Sequence, residues 1–243
     1  VLVCYACHPT TLGGYLVGAD YPGFAQDAIE AEFDGCTALF MQGCGADQKV
    51  RHVDARGFFK SGPAPVAKSL GQELARAVLV ALCGAGEPVA GAMALQLAEA
   101  ELPLQAPPTR EEAEKMAAHE DRFLAAWGRE MMRIHDEGEA FMRAKPLTLQ
   151  TLGIGDFALV ALSGEICVGY ALRLKKALAG RPCILAGYTN GMIGYIPTKS
   201  MMAEGGYEVN RSHYYNMTPA PYAEDVEDAI CAKVGEMLGL SAC

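Results

Sequence analysis

Positive charge is what this 243-residue chain has least of: 20 Lys and Arg stand against 29 Asp and Glu, for a net charge of -9 and a pI near 5.1. No basic stripe runs along it, which argues against nucleic acid as a partner, because phosphates are held by clustered cationic side chains. Long apolar runs are missing as well. The longest, such as residues 77–83, fall far short of the roughly 20 residues that cross a bilayer, so no transmembrane segment is expected. No signal peptide is visible. The chain also lacks an initiator Met and opens at Val1 inside a strand-like run, from which we expect processing or an upstream segment. Neither G-x-G-x-x-G nor G-x-x-x-x-G-K-[ST] occurs, which leaves nucleotide binding with little support, and no H-E-x-x-H or other compact zinc motif is present. There is no internal repeat and no low-complexity tract.

What remains is a chain rich in material for a core. Hydrophobic residues make up 51% and charged residues only 20%, enough for one globular unit to bury a sizeable interior. The nine cysteines are an odd number set mostly among apolar or small neighbours, and read as reduced, buried thiols rather than a disulfide framework. Cys4-Tyr5-Ala6-Cys7-His8 matches the C-x-x-C-H pattern of covalent haem attachment. That pattern ordinarily opens a helix, whereas these residues end the β-prone run Val1-Leu2-Val3 and precede Pro9, so haem is disfavoured.

The chain alternates strands and helices. Residues 1–7 read as a strand whose end presents His8, followed by a Thr/Gly-rich loop. A helix is expected from Tyr21, with Phe24, Ala28, Ile29 and Phe33 at helical spacing and Gly35 closing it. A short buried strand over 37–41 runs into Gln42-Gly43-Cys44-Gly45-Ala46-Asp47-Gln48. Residues 66–82 form an amphipathic helix with Leu70, Leu74, Ala77, Val78 and Ala81 on one face, and 89–104 an extended strand. Thr109 and Glu112 make a capping box at the head of a charged segment, 109–143, expected as one long helix or a helical hairpin around Trp127, with His119 and His135 on its solvated face. Strands at 147–152 and 157–162 lead through Ser163-Gly164-Glu165 into a helix over 166–178. A further buried strand at 183–186 opens a Gly/Asn-rich loop that carries Tyr195, and an amphipathic helix over 224–238 closes the chain. The pattern predicts an α/β (α+β) fold, a mixed β-sheet core flanked by helices.

His8, Glu165 and Tyr195 each follow a predicted strand at its carboxyl end, where open sheets keep their chemistry. Each offers a lone pair to a divalent cation, and a mixed N/O set suits zinc. Each also has a purely structural reading. His8 can be a core histidine and Tyr195 a packing residue with a satisfied hydroxyl. Glu165 can be held by a helix dipole, and Asp47 can cap or turn the chain.

Several stretches, in order along nearly the whole chain, resemble the neutral ceramidase family and its bacterial neutral/alkaline non-lysosomal ceramidase-like members. They are Cys7-His8-Pro9-Thr10, Gly18-Ala19-Asp20-Tyr21-Pro22-Gly23-Phe24-Ala25, Gln42 to Gln48, Ser163-Gly164-Glu165, Gly187-Tyr188-Thr189-Asn190 through Gly194-Tyr195-Ile196, and Gly206-Tyr207-Glu208. The resemblance implies zinc-dependent hydrolysis of the amide joining a fatty acyl group to an amine, with a ceramide-like lipid or other N-acylated small molecule as partner. It implies zinc ligands His8, Glu165 and Tyr195, with a further histidine expected from an upstream segment. It also implies catalytic roles for Tyr207, as an oxyanion donor, and Asp47, and substrate contacts from Gln42, Gly43, Cys44 and Gln48. Residues 1–243 would then be a portion of one catalytic domain, without the upstream segment or the C-terminal immunoglobulin-like domain of longer members. Family likeness suggests a secreted or periplasmic location and cysteine usage a reduced cytoplasm. Three departures stand out: Gln48-Lys49-Val50 where the family continues with Ser or Asn and Pro, the missing first histidine, and the missing immunoglobulin-like domain, which weakens ceramide as the substrate. The alternative is a non-catalytic remnant or binding module that keeps the fold without a complete metal site.

Overall fold

The structure, a computed structural model, describes residues 1–240. It is built in two unequal layers. In the thin layer, β1 (Leu2–Tyr5) and β2 (Leu39–Gln42) pair in parallel, Leu2 opposite Leu39 and Tyr5 opposite Gln42. The crossover helix α1 (Asp20–Glu30) packs on α2 (Ala64–Leu82). The α1 helix stops at Glu30 rather than running to Gly35, so Phe33 falls outside it and is exposed.

The expected leucine face of α2 is only half-buried. Ala67, Gly71 and Ala75 form the fully buried row instead. A Cβ on Gly71 would lie 2.5 Å from the Tyr21 carbonyl oxygen, so the helices cross too closely for any larger side chain, and Leu70 and Leu74 flank the contact. Hydropathy spacing finds the apolar side of a helix but not the line along which two backbones meet.

The thick layer holds most of the core. It comprises β3 (Met93–Pro103), β4 (Ala144–Ile154), β5 (Phe157–Leu162), the short β6 (Glu165–Ile166) and β7 (Cys183–Ala186). A four-stranded sheet runs β3-β4-β5-β7, antiparallel except for the parallel β5–β7 pair, and β6 pairs separately and in parallel with β8 (Tyr195–Ile196). Leu147, Leu149, Val160 and Leu162 from this sheet interlock with α5 (Val168–Ala177) through Leu174 and with the closing helix through Ile230 and Val234. The mixed sheet flanked by helices gives the α/β class that the alternation predicts.

The charged segment resolves as a helical hairpin, α3 (Arg110–Ala117) and α4 (Arg122–Glu137). Its capping box is formed: the Glu112 N–H donates to Thr109 Oγ1 at 3.2 Å and the Thr109 N–H to the Glu112 carboxylate at 2.7 Å. Trp127 is buried and donates to the Thr218 carbonyl. His119 is exposed as expected. His135 is half-buried, with Nε2 3.0 Å from the Pro108 carbonyl oxygen, because the linker before α3 folds back over it. Three short helices follow β8, α6 (Lys199–Glu204), α7 (Tyr207–Asn210) and α8 (Ser212–Tyr215), and α9 (Val226–Leu238) closes the chain over the sheet. Among the described residues no helix is long and apolar enough to cross a membrane. Eight cysteines are free, and Cys243 lies outside the described residues.

Candidate functional site

The two layers meet along a seam made of backbone. Gly43 at the end of β2 bridges to Ala186 at the end of β7, the Gly187 N–H donates to the Gln42 carbonyl, and the Ala46 N–H donates to that of Ile166. His8 comes from the thin side: its N–H donates to the Gln48 carbonyl at 2.9 Å, and the carbonyl of the preceding Cys7 accepts the buried Tyr21 hydroxyl at 2.6 Å. Tyr21 is set by Asp20, a non-glycine residue at φ 52° whose carboxylate accepts the N–H groups of Leu12 and Tyr21, both at 2.7 Å.

Glu165 and Tyr195 come from the thick side, opposite each other in the β6–β8 pair. The expectation that a helix N-terminus holds Glu165 is corrected. Helix α5 begins only at Val168, and the Val168 N–H donates to Asp47 Oδ1 at 2.7 Å. A two-residue parallel ladder therefore aims Glu165, with its N–H on the Gly194 carbonyl.

These three side chains converge. His8 Nε2 lies 3.7 Å from Glu165 Oε2 and 3.4 Å from the Tyr195 hydroxyl, with the imidazole and carboxylate side chains only 12% and 18% exposed. The Tyr195 hydroxyl also reaches the Glu165 carboxylate. A fourth group, Tyr188, went unassigned from sequence. Its hydroxyl is 3.2 Å from His8 Nε2 and donates to Glu165 Oε2 at 3.4 Å. Tyr188 and Asn190 adopt φ of 60° and 55°, a costly region for non-glycine residues that Ala179 and Met217 also occupy away from the site. Sequence alone places it within the Gly187-Tyr188-Thr189-Asn190 stretch, with no role of its own.

Burial raises the Glu165 carboxyl above the usual carboxylate range, opposed by His8 and by the two phenols. Burial, followed by the negative charge of Glu165, pushes both phenols well above theirs. Tyr207 sits at the start of α7 with its ring edge-on to Tyr195, centroids 5.5 Å apart, and its phenol is raised by burial and then by Tyr215 and Glu165.

The site opens into a cleft of about 560 Å³. Phe40, Pro22 and Met192 give it apolar walls, Gln42 lines it, and no Lys or Arg does. Gln42 Oε1 is buried there without a hydrogen-bond partner. The other residues of the 42–48 loop expected as substrate contacts are not among those that line this cleft. Gly43 and Cys44 are buried, Cys44 belongs to the core, and burial pushes its thiol up to about 12. Gln48 serves through its carbonyl, anchoring His8, and Asp47 through its bond to α5. The loop is a splice: a Cβ on Gly45 would lie 2.5 Å from the Ala6 carbonyl carbon. The C-x-x-C-H thiols are also engaged apart, Cys4 toward the Leu185 carbonyl and Cys7 buried beside Tyr21.

Among the described residues no cluster of three or more His, Cys, Asp and Glu can hold a metal. Here only His8 and Glu165 are of those types, and the remaining donors are phenols. No family model matches the sequence, and no curated protein matches it. Solved structures do. Neutral ceramidase from Pseudomonas aeruginosa superposes with a TM-score of 0.65 at 18% identity, over 98% of this chain and 44% of that one. The chain has the fold of a neutral ceramidase. A ceramidase complexed with C2 matches with a TM-score of 0.63 at 16% identity, over 100% of this chain and 46% of that one. The chain thus spans rather less than half the length of these ceramidases, and at this identity the likeness establishes the fold.

Proposed function

We propose that this chain carries the zinc-dependent hydrolysis of an N-acyl amide, in a ceramide-like lipid or a related N-acylated amine, as part of a catalytic domain. The observation that carries the reading is the meeting of His8, Glu165 and Tyr195 beside an apolar cleft that His8 and Glu165 line, in a ceramidase fold. The donor set fits the metal: an imidazole nitrogen, a carboxylate and a phenol at one point suit a borderline cation that accepts mixed N/O ligands. Bound zinc supplies Lewis acidity, which polarises an amide carbonyl and activates water.

The chain's own groups do the rest. Gln42 Oε1, buried without a partner, accepts the amide N–H and fixes the orientation of the scissile bond. Phe40 and Met192 take the acyl chain, and the absence of Lys and Arg from the walls disfavours anionic substrates. As water adds to the carbonyl carbon, negative charge grows on the carbonyl oxygen, and the Tyr207 hydroxyl donates to it. The Glu165 carboxylate takes a proton from the water and passes it to the departing amine nitrogen as the C–N bond breaks.

The test is metal analysis and amidase assay on the natural polypeptide that contains these residues. We expect hydrolysis of a short-chain ceramide that a chelator abolishes and zinc restores, and loss of zinc in His8→Ala. Wild-type protein that takes up no zinc and leaves N-acyl amides intact overturns the reading in favour of a non-catalytic binding module.

A further inference from the structure

We infer that Tyr15-Leu16-Val17, the tip of the loop between β1 and α1, is a lipid-anchoring surface that seats the chain on an uncharged or zwitterionic bilayer with the cleft facing the lipid. The inference goes beyond the hydrolysis reading and does not depend on the metal.

These three side chains are the most exposed large apolar groups among the described residues, at 106%, 97% and 106%. Single exposed apolar residues are ordinary, but three in succession make a contiguous patch, which marks an interaction surface. The tip is also free of charge, since no Asp, Glu, Lys or Arg occurs from Pro9 to Ala19. Its base is fixed. The Leu12 N–H donates to the buried Asp20 carboxylate and the Gly62 N–H to the Thr11 carbonyl, both at 2.7 Å. Above that base Gly14 turns the chain at φ 106° into open space, so the apolar side chains project from a pinned stem.

The stem decides what can cover the tip. Pro9 and Thr10 before it, and Gly18, Ala19 and Asp20 after it, line the 560 Å³ cleft. The tip therefore stands on the rim of that cleft. A folded partner or a second copy seated there would stand over the opening and obstruct it. A fluid bilayer covers the same side chains and leaves the cleft open to apolar molecules dissolved in it. The residue types agree: Leu16 and Val17 suit the acyl region, and a tyrosine suits the boundary with the headgroups. A net charge of -9, with no Lys or Arg on the cleft walls, gives no attraction toward anionic lipid. Apolar burial is left as the driving force, which fits a surface without net charge.

The test is sedimentation of the purified natural polypeptide, held in chelator, with phosphatidylcholine vesicles. Wild type should sediment with them and gain nothing from added phosphatidylserine. Leu16→Ser should weaken partitioning about 10-fold, somewhat less than full burial of a leucine gives, and serine at all three positions should abolish it. Equal melting temperatures of these variants and wild type in buffer control for misfolding. Leu16→Trp reports on the tip itself: its emission should shift to shorter wavelength with vesicles and be quenched by brominated acyl chains. Emission already at short wavelength in buffer and unmoved by vesicles shows that protein covers the tip, from elsewhere in the polypeptide or from a second copy, and overturns the inference. Wild type that stays in the supernatant, or partitioning that Leu16→Ser leaves unchanged, also overturns it. Because the protein is metal-free, failure here leaves the hydrolysis reading standing, and an inactive protein that binds vesicles leaves this inference standing.

Discussion

The two layers that supply the site are held together differently. The thick layer is an ordinary core, with Leu102, Leu147, Leu149, Leu162, Ile166 and Leu174 all inaccessible to solvent. The thin layer has a small core, in which Ala25, Ile29, Ala38 and Ala75 are the buried members, and it leaves Leu2, Tyr5 and Leu39 exposed on its strands. One layer is stabilised by burial, while the other leans on the seam of backbone hydrogen bonds along residues 42–48. Glu165, Tyr188 and Tyr195 are anchored in the first and His8 in the second. The site is therefore only as ordered as the seam.

The sharpest way to test this contrast is to empty a position in the thick layer. Leu162→Ala should cost about 4 kcal/mol, near the upper end for buried leucines, and urea unfolding should show the loss as one transition of the whole chain. Gly45→Ala strikes the seam. The added Cβ has backbone of Ala6 at 2.5 Å, which cannot yield as a side chain tip would, so we expect about 2 kcal/mol of overpacking cost. Hydrogen exchange should then speed up in β1 and β2 while β4 and β5 stay protected. Equal loss of protection in both layers would contradict the division. Asp47→Ala removes the acceptor for Val168 N–H and should cost about 1 kcal/mol, read as a small shift of the urea midpoint.

The smallest effect at neutral pH belongs to His213, beside the thick layer. Burial lowers its pKa from 6.5 to about 4, and its Nδ1 is buried without a partner. The folded state thus binds the proton later than the unfolded chain. Its contribution is complete above 6.5 and is lost as pH falls toward about 4. Stability measured across that window should fall in wild type and fall less in His213→Phe.

Much of the thick layer was legible. Strands β4 and β5, the turn between them, the Thr109 capping box and α9 all announce themselves through local pattern, and local pattern is where their hydrogen bonds lie. The meeting of His8 with Glu165 and Tyr195 followed from strand ends and from ordered motifs. What escaped depends on partners distant in sequence. Asp47 finds its partner at Val168, and no reading of Gly43 to Gln48 alone reveals that the loop is a splice. Strands β6 and β8 are two residues each, too short for any period to register. Tyr188 is singled out by its hydroxyl's contacts with His8 and Glu165, which composition does not encode. The Gly71 contact shows the same limit in the core, since close approach of two helices is a property of the pair.

The central claim is that groups from both layers close on one cation through nitrogen and oxygen. X-ray absorption at the zinc edge of the metal-loaded polypeptide tests it directly. The account predicts imidazole nitrogen and oxygen neighbours at about 2.0 Å with no sulfur. A sulfur shell at about 2.3 Å, which would place the metal on cysteines such as Cys4 and Cys7 instead, would contradict it.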